Sequence, residues 1–170
     1  MHKPINISVI SPDKSKQHKA YYPLSSVQQG IWLDQMLNPD VPYYNIGMML
    51  RVDGYVNVAS LEKAINLVVV KNDALRLVLR KKNGVVQQQV LPLIDISLAV
   101  IDFSNHVKGD EQAWRYMRQA FIQPFDLEGG LLWEWRVIQV SNSCYYLLHR
   151  YHHLITDGYG VQLIAYTVAD

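Results

Sequence analysis

The stretch CYYLLHRYHHLITDGYG, residues 144–160, combines a strand pattern, two adjacent histidines and a helix start. Apolar and aromatic side chains dominate residues 144–154, and this strand would pair with the apolar residues 131–140 through the turn Ser141-Asn142-Ser143. Asp157 could cap a helix over residues 159–168. The stretch therefore predicts a hairpin strand that leads through a histidine-bearing turn into a helix.

Three upstream segments have the spacing of amphipathic helices. Each has apolar residues three or four positions apart on one face, and the first two follow a capping residue. The predicted helices begin after Ser25 or Ser26, after Asn57 and at Asp110, and the first and third end before Asn38-Pro39 and Pro124. The segment over residues 58–69 has the clearest helical periodicity.

The remaining apolar segments have strand patterns. We expect a mostly buried strand over residues 43–52, a hairpin of residues 75–80 and 85–91 around Asn83-Gly84, and one strand over residues 96–103. Helices interleaved with about six strands predict an α/β fold, a two-layer sandwich with a mixed β-sheet. In residues 1–20, the alternation of Ile5, Ile7 and Val9 fits either a short edge strand or a leader. We interpret residues 1–20 as a leader that could be flexible, and residues 21–170 as the folded unit.

Composition narrows the function classes. Sixteen Lys and Arg residues balance 15 Asp and Glu residues, which argues against a general nucleic-acid-binding surface. Cys144 is the single cysteine, so an internal disulfide and a thiolate metal cluster are excluded. Because the sequence has neither an apolar signal core nor a membrane-length apolar segment, we expect a cytoplasmic protein with no membrane contact.

The two adjacent histidines are the candidates for chemistry. Side chains alternate along a strand, so His153 shares a face with His149, whereas His152 shares the opposite face with Arg150. We therefore expect one structural and one functional histidine. His153 is nearer the strand end, where an imidazole in a cleft can accept or hold a proton. Asp157 could orient that imidazole, lock the loop by pairing with an arginine, or cap the next helix.

Other interpretations remain open at this point. Buried, hydrogen-bonded histidines are more common than catalytic ones. A metal site is a further option, since His149, His153 and Asp157 could converge. The sequence contains neither the nucleophile elbow of a serine hydrolase nor a glycine-rich phosphate loop.

Four segments together resemble the condensation domains of nonribosomal peptide synthetases. Residues 150–158 look like the HHxxxDG motif of that family, and residues 24–32 resemble its first motif. Residues 71–76 resemble the second motif, usually written RHExLR, with Lys71, Asn72 and Asp73 in place of Arg, His and Glu. Residues 124–132 resemble a stretch that normally has Pro where Leu131 stands. Arg150-Tyr151 and Gly30 are closest to siderophore synthetases of the enterobactin type.

The resemblance implies the fold of one chloramphenicol-acetyltransferase-like lobe, the N-terminal lobe of a condensation domain, with the C-terminal lobe absent from these residues. His153 would position or deprotonate the attacking amine, and Gly158 could offer its backbone amide to the oxyanion. Asp157 would be architectural, with Arg76 as its expected partner and Arg150 and Lys71 as competitors. His152 is assigned to packing.

The implied reaction joins a donor acyl, aminoacyl or peptidyl thioester to an aminoacyl acceptor, forming an amide. Both substrates would be carried on phosphopantetheine arms of carrier proteins, with no cofactor bound directly and no metal. Further partners would be the second lobe and downstream synthetase domains. The alternatives are a CoA-dependent acyltransferase of the chloramphenicol acetyltransferase type and a non-catalytic module that binds carrier proteins. We expect the isolated lobe to be inactive and to self-associate through exposed apolar surface.

Overall fold

The computed structural model describes residues 6–9 and 21–170. Within this part of the chain there are four α-helices and a short 3-10 helix at Asp73–Arg76. The α-helices are α1 (Ser26–Leu37), α2 (Val58–Lys71), α3 (Gly109–Phe121) and α4 (Gly158–Ala169). The strands are β1 (Asn6–Val9), β2 (Tyr21–Pro23), β3 (Asn45–Asp53), β4 (Leu77–Lys82), β5 (Val85–Val90), β6 (Ile94–Ser97), β7 (Val100–Asp102), β8 (Trp133–Ser141) and β9 (Cys144–His152).

A four-stranded mixed sheet with the order β3-β9-β8-β7 forms the centre of the fold. The hairpin of β8 and β9 is antiparallel, as is the pairing of β3 with β9, whereas β7 runs parallel to β8. Helices α2 and α4 bury one face of this sheet, and α3 packs against the other. The predicted α/β fold with a mixed sheet is confirmed, and α3 adds a layer of its own on the second face.

Local sequence signals account for the helix boundaries. The Ser25 side chain accepts a hydrogen bond from the Gln28 N–H, and the Gln28 side chain accepts one from the Ser25 N–H, which is a complete capping box for α1. Asn57 caps α2 through the Ser60 N–H. Both caps stand where the sequence predicts them.

The predicted hairpin of β4 and β5 is also present, in a three-stranded sheet with the order β2-β5-β4. Its turn residues Asn83 and Gly84 have φ angles of 52° and 80°, the left-handed conformation that tight hairpins require. Leu75, expected in the strand, lies instead in the 3-10 helix that precedes it.

The prediction of one strand over residues 96–103 is wrong. The segment contains the end of β6, which pairs with β1, and β7, which pairs with β8, so the chain passes from one sheet to another. Between β6 and β7, the Leu98 N–H donates to Oε2 of Glu62 at 2.7 Å. This side chain of α2 takes the place of the carbonyl that a neighbouring strand would offer. Residues 43–52 were expected to be mostly buried, but β3 is an edge strand and is only half-buried.

Residues Asn6–Val9 form β1, antiparallel to β6, and this corresponds to the edge-strand alternative for the beginning of the chain. The other residues of the predicted leader lie outside the described residues. None of the described helices is long and apolar enough to cross a membrane.

Candidate active site

The candidate site is the histidine loop, residues 152–158, between β9 and α4. Its backbone is hydrogen-bonded to the residues that directly precede β8 and β3. The His152 N–H donates to the Leu132 carbonyl at 2.8 Å, and the His153 N–H donates to the Tyr44 carbonyl at 2.9 Å. The Ile155 N–H closes a turn onto the His152 carbonyl at 3.1 Å. The chain therefore leaves the sheet at a defined point, with the loop held by main-chain hydrogen bonds.

His152 lies in the interior, with 1% of its surface exposed. Its ring is 6.1 Å from that of Phe125 and 5.9 Å from that of Tyr44. The Leu154 N–H donates to Nδ1 of His152 at 3.2 Å. Burial, with a smaller effect of the neighbouring His153, lowers the pKa of His152 to about 4. The neutral ring can accept this hydrogen bond, so His152 both fills the interior and holds the loop.

His153 is partly exposed at the point where β9 has ended. No hydrogen bond or ion pair engages its imidazole among the residues that the structure describes. Its backbone is fixed through Tyr44, whereas its side chain is open to a ligand. The structure therefore has one interior and one partly exposed histidine, and the functional role expected of His153 stays a prediction.

Asp157 and Gly158 form the start of α4. Oδ1 of Asp157 accepts a hydrogen bond from the Gly160 N–H at 2.8 Å, and its carbonyl accepts one from the Val161 N–H at 2.9 Å. The Gly158 N–H, in the first turn, has no partner within the described part of the chain. Unpaired first-turn amides carry the positive end of the helix dipole. Asp157 is therefore a helix cap, and the Gly158 amide is free to donate.

The predicted ion pair between Arg76 and Asp157 is wrong. Arg76 pairs with Asp73, three residues earlier in the same 3-10 helix, and donates to the Leu91 carbonyl at 2.8 Å and the Val69 carbonyl at 3.2 Å. Arg76 thereby connects the end of α2 to the end of β5. The carboxylate of Asp157 is occupied by the cap, and among the described residues it makes no ion pair with Lys71 or Arg150 either.

Arg150 belongs to a buried ionic cluster beneath the loop. It pairs with Glu134 of β8 and donates to the Gln123 carbonyl, and its guanidinium lies 4.3 Å from the centre of the Phe125 ring. Phe125 in turn contacts His152. Sequence reasoning missed Glu134, because only the register of β8 against β9 brings it opposite Arg150.

Gln28 was also missed as a residue of the site. Its Nε2 atom donates to the Leu154 carbonyl at 3.1 Å, so the first motif and the histidine loop are in direct contact. The spacing Ser25-x-x-Gln28 indicates a capping box in the sequence. The second contact, 126 residues away along the chain, leaves no local signal.

No group of three His, Cys, Asp or Glu side chains suited to a metal ion occurs in residues 21–170. His149, considered as a ligand together with His153 and Asp157, is fully buried. Its ring stacks on Trp135 with 4.5 Å between centroids, and burial lowers its pKa to about 4. The three candidate ligands therefore do not converge, since His149 packs in the core beside Trp135.

Solved structures share this fold. The starter condensation domain of rhizomide synthetase superposes with a TM-score of 0.81 at 33% identity, covering 88% of this chain and 34% of that one. The first condensation domain of the calcium-dependent antibiotic synthetase, at 24% identity, has a TM-score of 0.77 over 88% of this chain and 36% of that one. These likenesses confirm the chloramphenicol-acetyltransferase-like α/β fold.

The family follows from sequence comparison. The family model "Condensation domain" matches residues 18–170, and the chain belongs to this family. Among its relatives, the dimodular nonribosomal peptide synthase of Bacillus subtilis (strain 168) is 31% identical over 148 residues, 87% of this chain and 6% of that protein. The isonitrile lipopeptide synthase of Streptomyces coeruleorubidus is 30% identical over 149 residues, 87% of this chain and 10% of that protein. The chain thus spans a small fraction of these relatives and about a third of the solved domains.

Proposed function

We propose that this protein forms amide bonds in nonribosomal peptide synthesis, by joining a carrier-bound acyl or aminoacyl thioester donor to a carrier-bound aminoacyl acceptor. The observation that carries the proposal is the partly exposed imidazole of His153, which has no protein partner among the described residues and stands on a loop with fixed main-chain geometry. Family membership supplies the reaction class.

In the proposed reaction, the acceptor amine attacks the thioester carbonyl carbon. A C–N bond forms, the C–S bond breaks, and the carrier thiol leaves. His153 positions the amine and takes the proton that it loses, and the unpaired Gly158 N–H donates to the oxyanion of the tetrahedral intermediate. A large part of the acceleration would come from the placement of two tethered substrates. His152 and Asp157 support the loop, and Arg76 belongs to the scaffold.

The substrates are proposed as thioesters on the phosphopantetheine arms of a donor and an acceptor carrier protein, with no cofactor held by this chain. A related starter condensation domain, with a TM-score of 0.80 and 33% identity, was solved with C8-CoA and Leu-SNAC. An acyl and an aminoacyl compound on one related domain support a donor and an acceptor of these two chemical types.

We further propose that residues 21–170 are the N-terminal lobe of the condensation domain and that a second lobe supplies the opposite wall of the site. The isolated lobe would then be inactive. A siderophore as product, and a cytoplasmic location, belong to the same proposal. The siderophore rests on Arg150-Tyr151 and Gly30 in the motifs, and the cytoplasmic location rests on the single cysteine.

The test is a condensation assay with the full-length protein. Donor and acceptor carriers are loaded with candidate acyl and aminoacyl groups, and the products are followed by mass spectrometry. His153→Ala should abolish amide formation with the fold retained, whereas His106→Ala, at an exposed histidine shortly before α3, should behave as wild type. Near-normal turnover by His153→Ala would overturn the assignment.

Two other outcomes identify the alternatives. Acyl transfer from free acetyl-CoA by a trimer, with no turnover of loaded carriers, would indicate a CoA-dependent acyltransferase. Binding of carriers without amide formation by the wild-type protein would indicate a non-catalytic module.

A further inference from the structure

The carbonyl of Leu154, the residue that follows His153, is held by the side chain of Gln28, which lies 126 residues away along the chain. The Leu154 carbonyl accepts a hydrogen bond from Nε2 of Gln28 at 3.1 Å, and the Leu154 side chain is buried. Its N–H donates to His152. Both polar groups of the residue that follows His153 are therefore engaged, so neither of the two peptide planes that flank Leu154 can rotate freely, and the first of these planes contains the His153 carbonyl.

Gln28 is itself fixed at each of its polar atoms. The same Nε2 donates to Oε1 of Gln88 on β5 at 3.1 Å, and Oε1 of Gln28 accepts from the Ser25 N–H at 2.9 Å. Gln88 donates onward to the Pro23 carbonyl at 3.0 Å. Contacts with Ser25, Gln88 and Leu154 leave the Gln28 amide one orientation, with its donors aimed at Gln88 and at the histidine loop.

We propose that Gln28 is a positioning residue for His153, acting through the Leu154 carbonyl, in addition to capping α1. The catalytic consequence of this positioning rests on the function proposed above. Its structural part, the anchoring of the loop, stands on the contacts alone. Small displacements of a catalytic group cost large factors in rate, so an anchor of this kind should affect kcat more than KM.

Two substitutions separate the two roles of Gln28. Gln28→Glu retains the acceptor for the Ser25 N–H, because Glu serves equally in a capping box. It loses the donor, however, and places an oxygen atom against the Leu154 carbonyl and Oε1 of Gln88. Gln28→Lys retains a donor for those two oxygens and loses the acceptor for the Ser25 N–H. Ser25→Ala is the matched control, because it removes the other half of the capping box and leaves the loop contact in place.

The first measurement is hydrogen–deuterium exchange of the full-length protein over peptides that contain residues 152–157. We expect exchange in this segment to be about tenfold faster in Gln28→Glu, and within about twofold of wild type in Ser25→Ala and Gln28→Lys. Equal exchange in Gln28→Glu and wild type, or the reverse order of the Glu and Lys variants, would overturn the anchoring.

The second measurement is the condensation assay with loaded carriers. We expect kcat of Gln28→Glu to fall by about tenfold or more with KM changed less than about threefold, and Gln28→Lys to recover most of the loss. Faster loop exchange in Gln28→Glu without any loss of kcat would overturn the positioning role. If the wild-type protein forms no amide, the proposed function fails, while the exchange data still decide whether Gln28 anchors the loop.

Discussion

The Leu154 N–H donates to Nδ1 of His152, two residues earlier, at 3.2 Å, and both side chains are buried. The acceptor nitrogen carries no proton, so the ring is neutral or the contact is lost. The first histidine of the pair thus has a hydrogen-bonding task as well as a packing task.

Two replacements of His152 should distinguish these tasks. Asn offers an oxygen near the Nδ1 position, whereas Leu fills space and leaves the Leu154 N–H unpaired in the interior. We expect His152→Leu to lower the free energy of unfolding by about 1–3 kcal/mol through this unpaired donor, and His152→Asn to keep the hydrogen bond at the cost of ring packing. Urea denaturation measures stability, and deuterium exchange at residues 153–155 reports the hydrogen bond. Equal protection of the Leu154 amide in both variants would contradict the assignment.

Stability should fall as the pH is lowered through the range of the buried histidines. His149 and His152 both have native pKa values of about 4 because burial disfavours their charged forms, whereas an unfolded histidine titrates near 6.5. Between pH 4 and pH 6.5 the unfolded state binds more protons than the native state, so the free energy of unfolding rises with pH in this range. The contribution of the two histidines to stability is therefore lost progressively as the pH falls below about 6.5. Each histidine should cost about 2 kcal/mol between pH 7 and pH 5. Urea midpoints across this range check the slope.

A non-titrating variant provides the control. His149→Phe keeps an aromatic ring against Trp135 and removes one titrating group. The part of the pH dependence of stability that comes from His149 and His152 should therefore be about half as steep between pH 5 and pH 7. An unchanged slope would show that His149 takes no part in the titration.

Asp157 should matter for stability as a cap and not as half of an ion pair. Its Oδ1 atom holds the Gly160 N–H at 2.8 Å. Asp157→Ala should lower the free energy of unfolding by about 1 kcal/mol, whereas Asp157→Asn, which retains an acceptor, should stay within about 0.5 kcal/mol of wild type. Thermal unfolding of both variants is the measurement. A large loss in Asp157→Asn would indicate that the charge has a partner, and an unchanged Tm in Asp157→Ala would remove the architectural role.

The parts of the fold that local chemistry determines were predictable from the sequence. Capping residues and breakers indicated α1 and α2, and Asn83-Gly84 indicated the hairpin of β4 and β5, because each signal acts within a few residues. The separation of His152 from His153 followed from strand alternation.

Pairings between distant segments were not predictable. The resemblance predicts Arg76 as the partner of Asp157, yet Arg76 pairs with the nearer Asp73 and donates its other hydrogen bonds to two carbonyls. Gln28 contacts Leu154 because the fold brings α1 to the histidine loop, and nothing in either segment specifies this. At the change of sheet between β6 and β7, the Leu98 N–H likewise donates to a distant residue, Glu62 of α2.

Helix α4 presents an apolar stripe that should drive self-association of the 170-residue chain. Tyr159, Leu163 and Tyr166 follow one another at helical spacing and are 77%, 55% and 64% exposed. Three large side chains on one helix face are a common feature of association surfaces. We expect concentration-dependent association in sedimentation velocity experiments, weakened about tenfold or more by Leu163→Lys, since a charge in the centre of an apolar contact must be desolvated. The control is Val107→Lys in the loop before α3, at a side chain that is 86% exposed between His106 and Lys108, which should leave association unchanged. A wild-type chain that stays monomeric at high concentration, or equal effects of the two lysines, would contradict α4 as the contact surface.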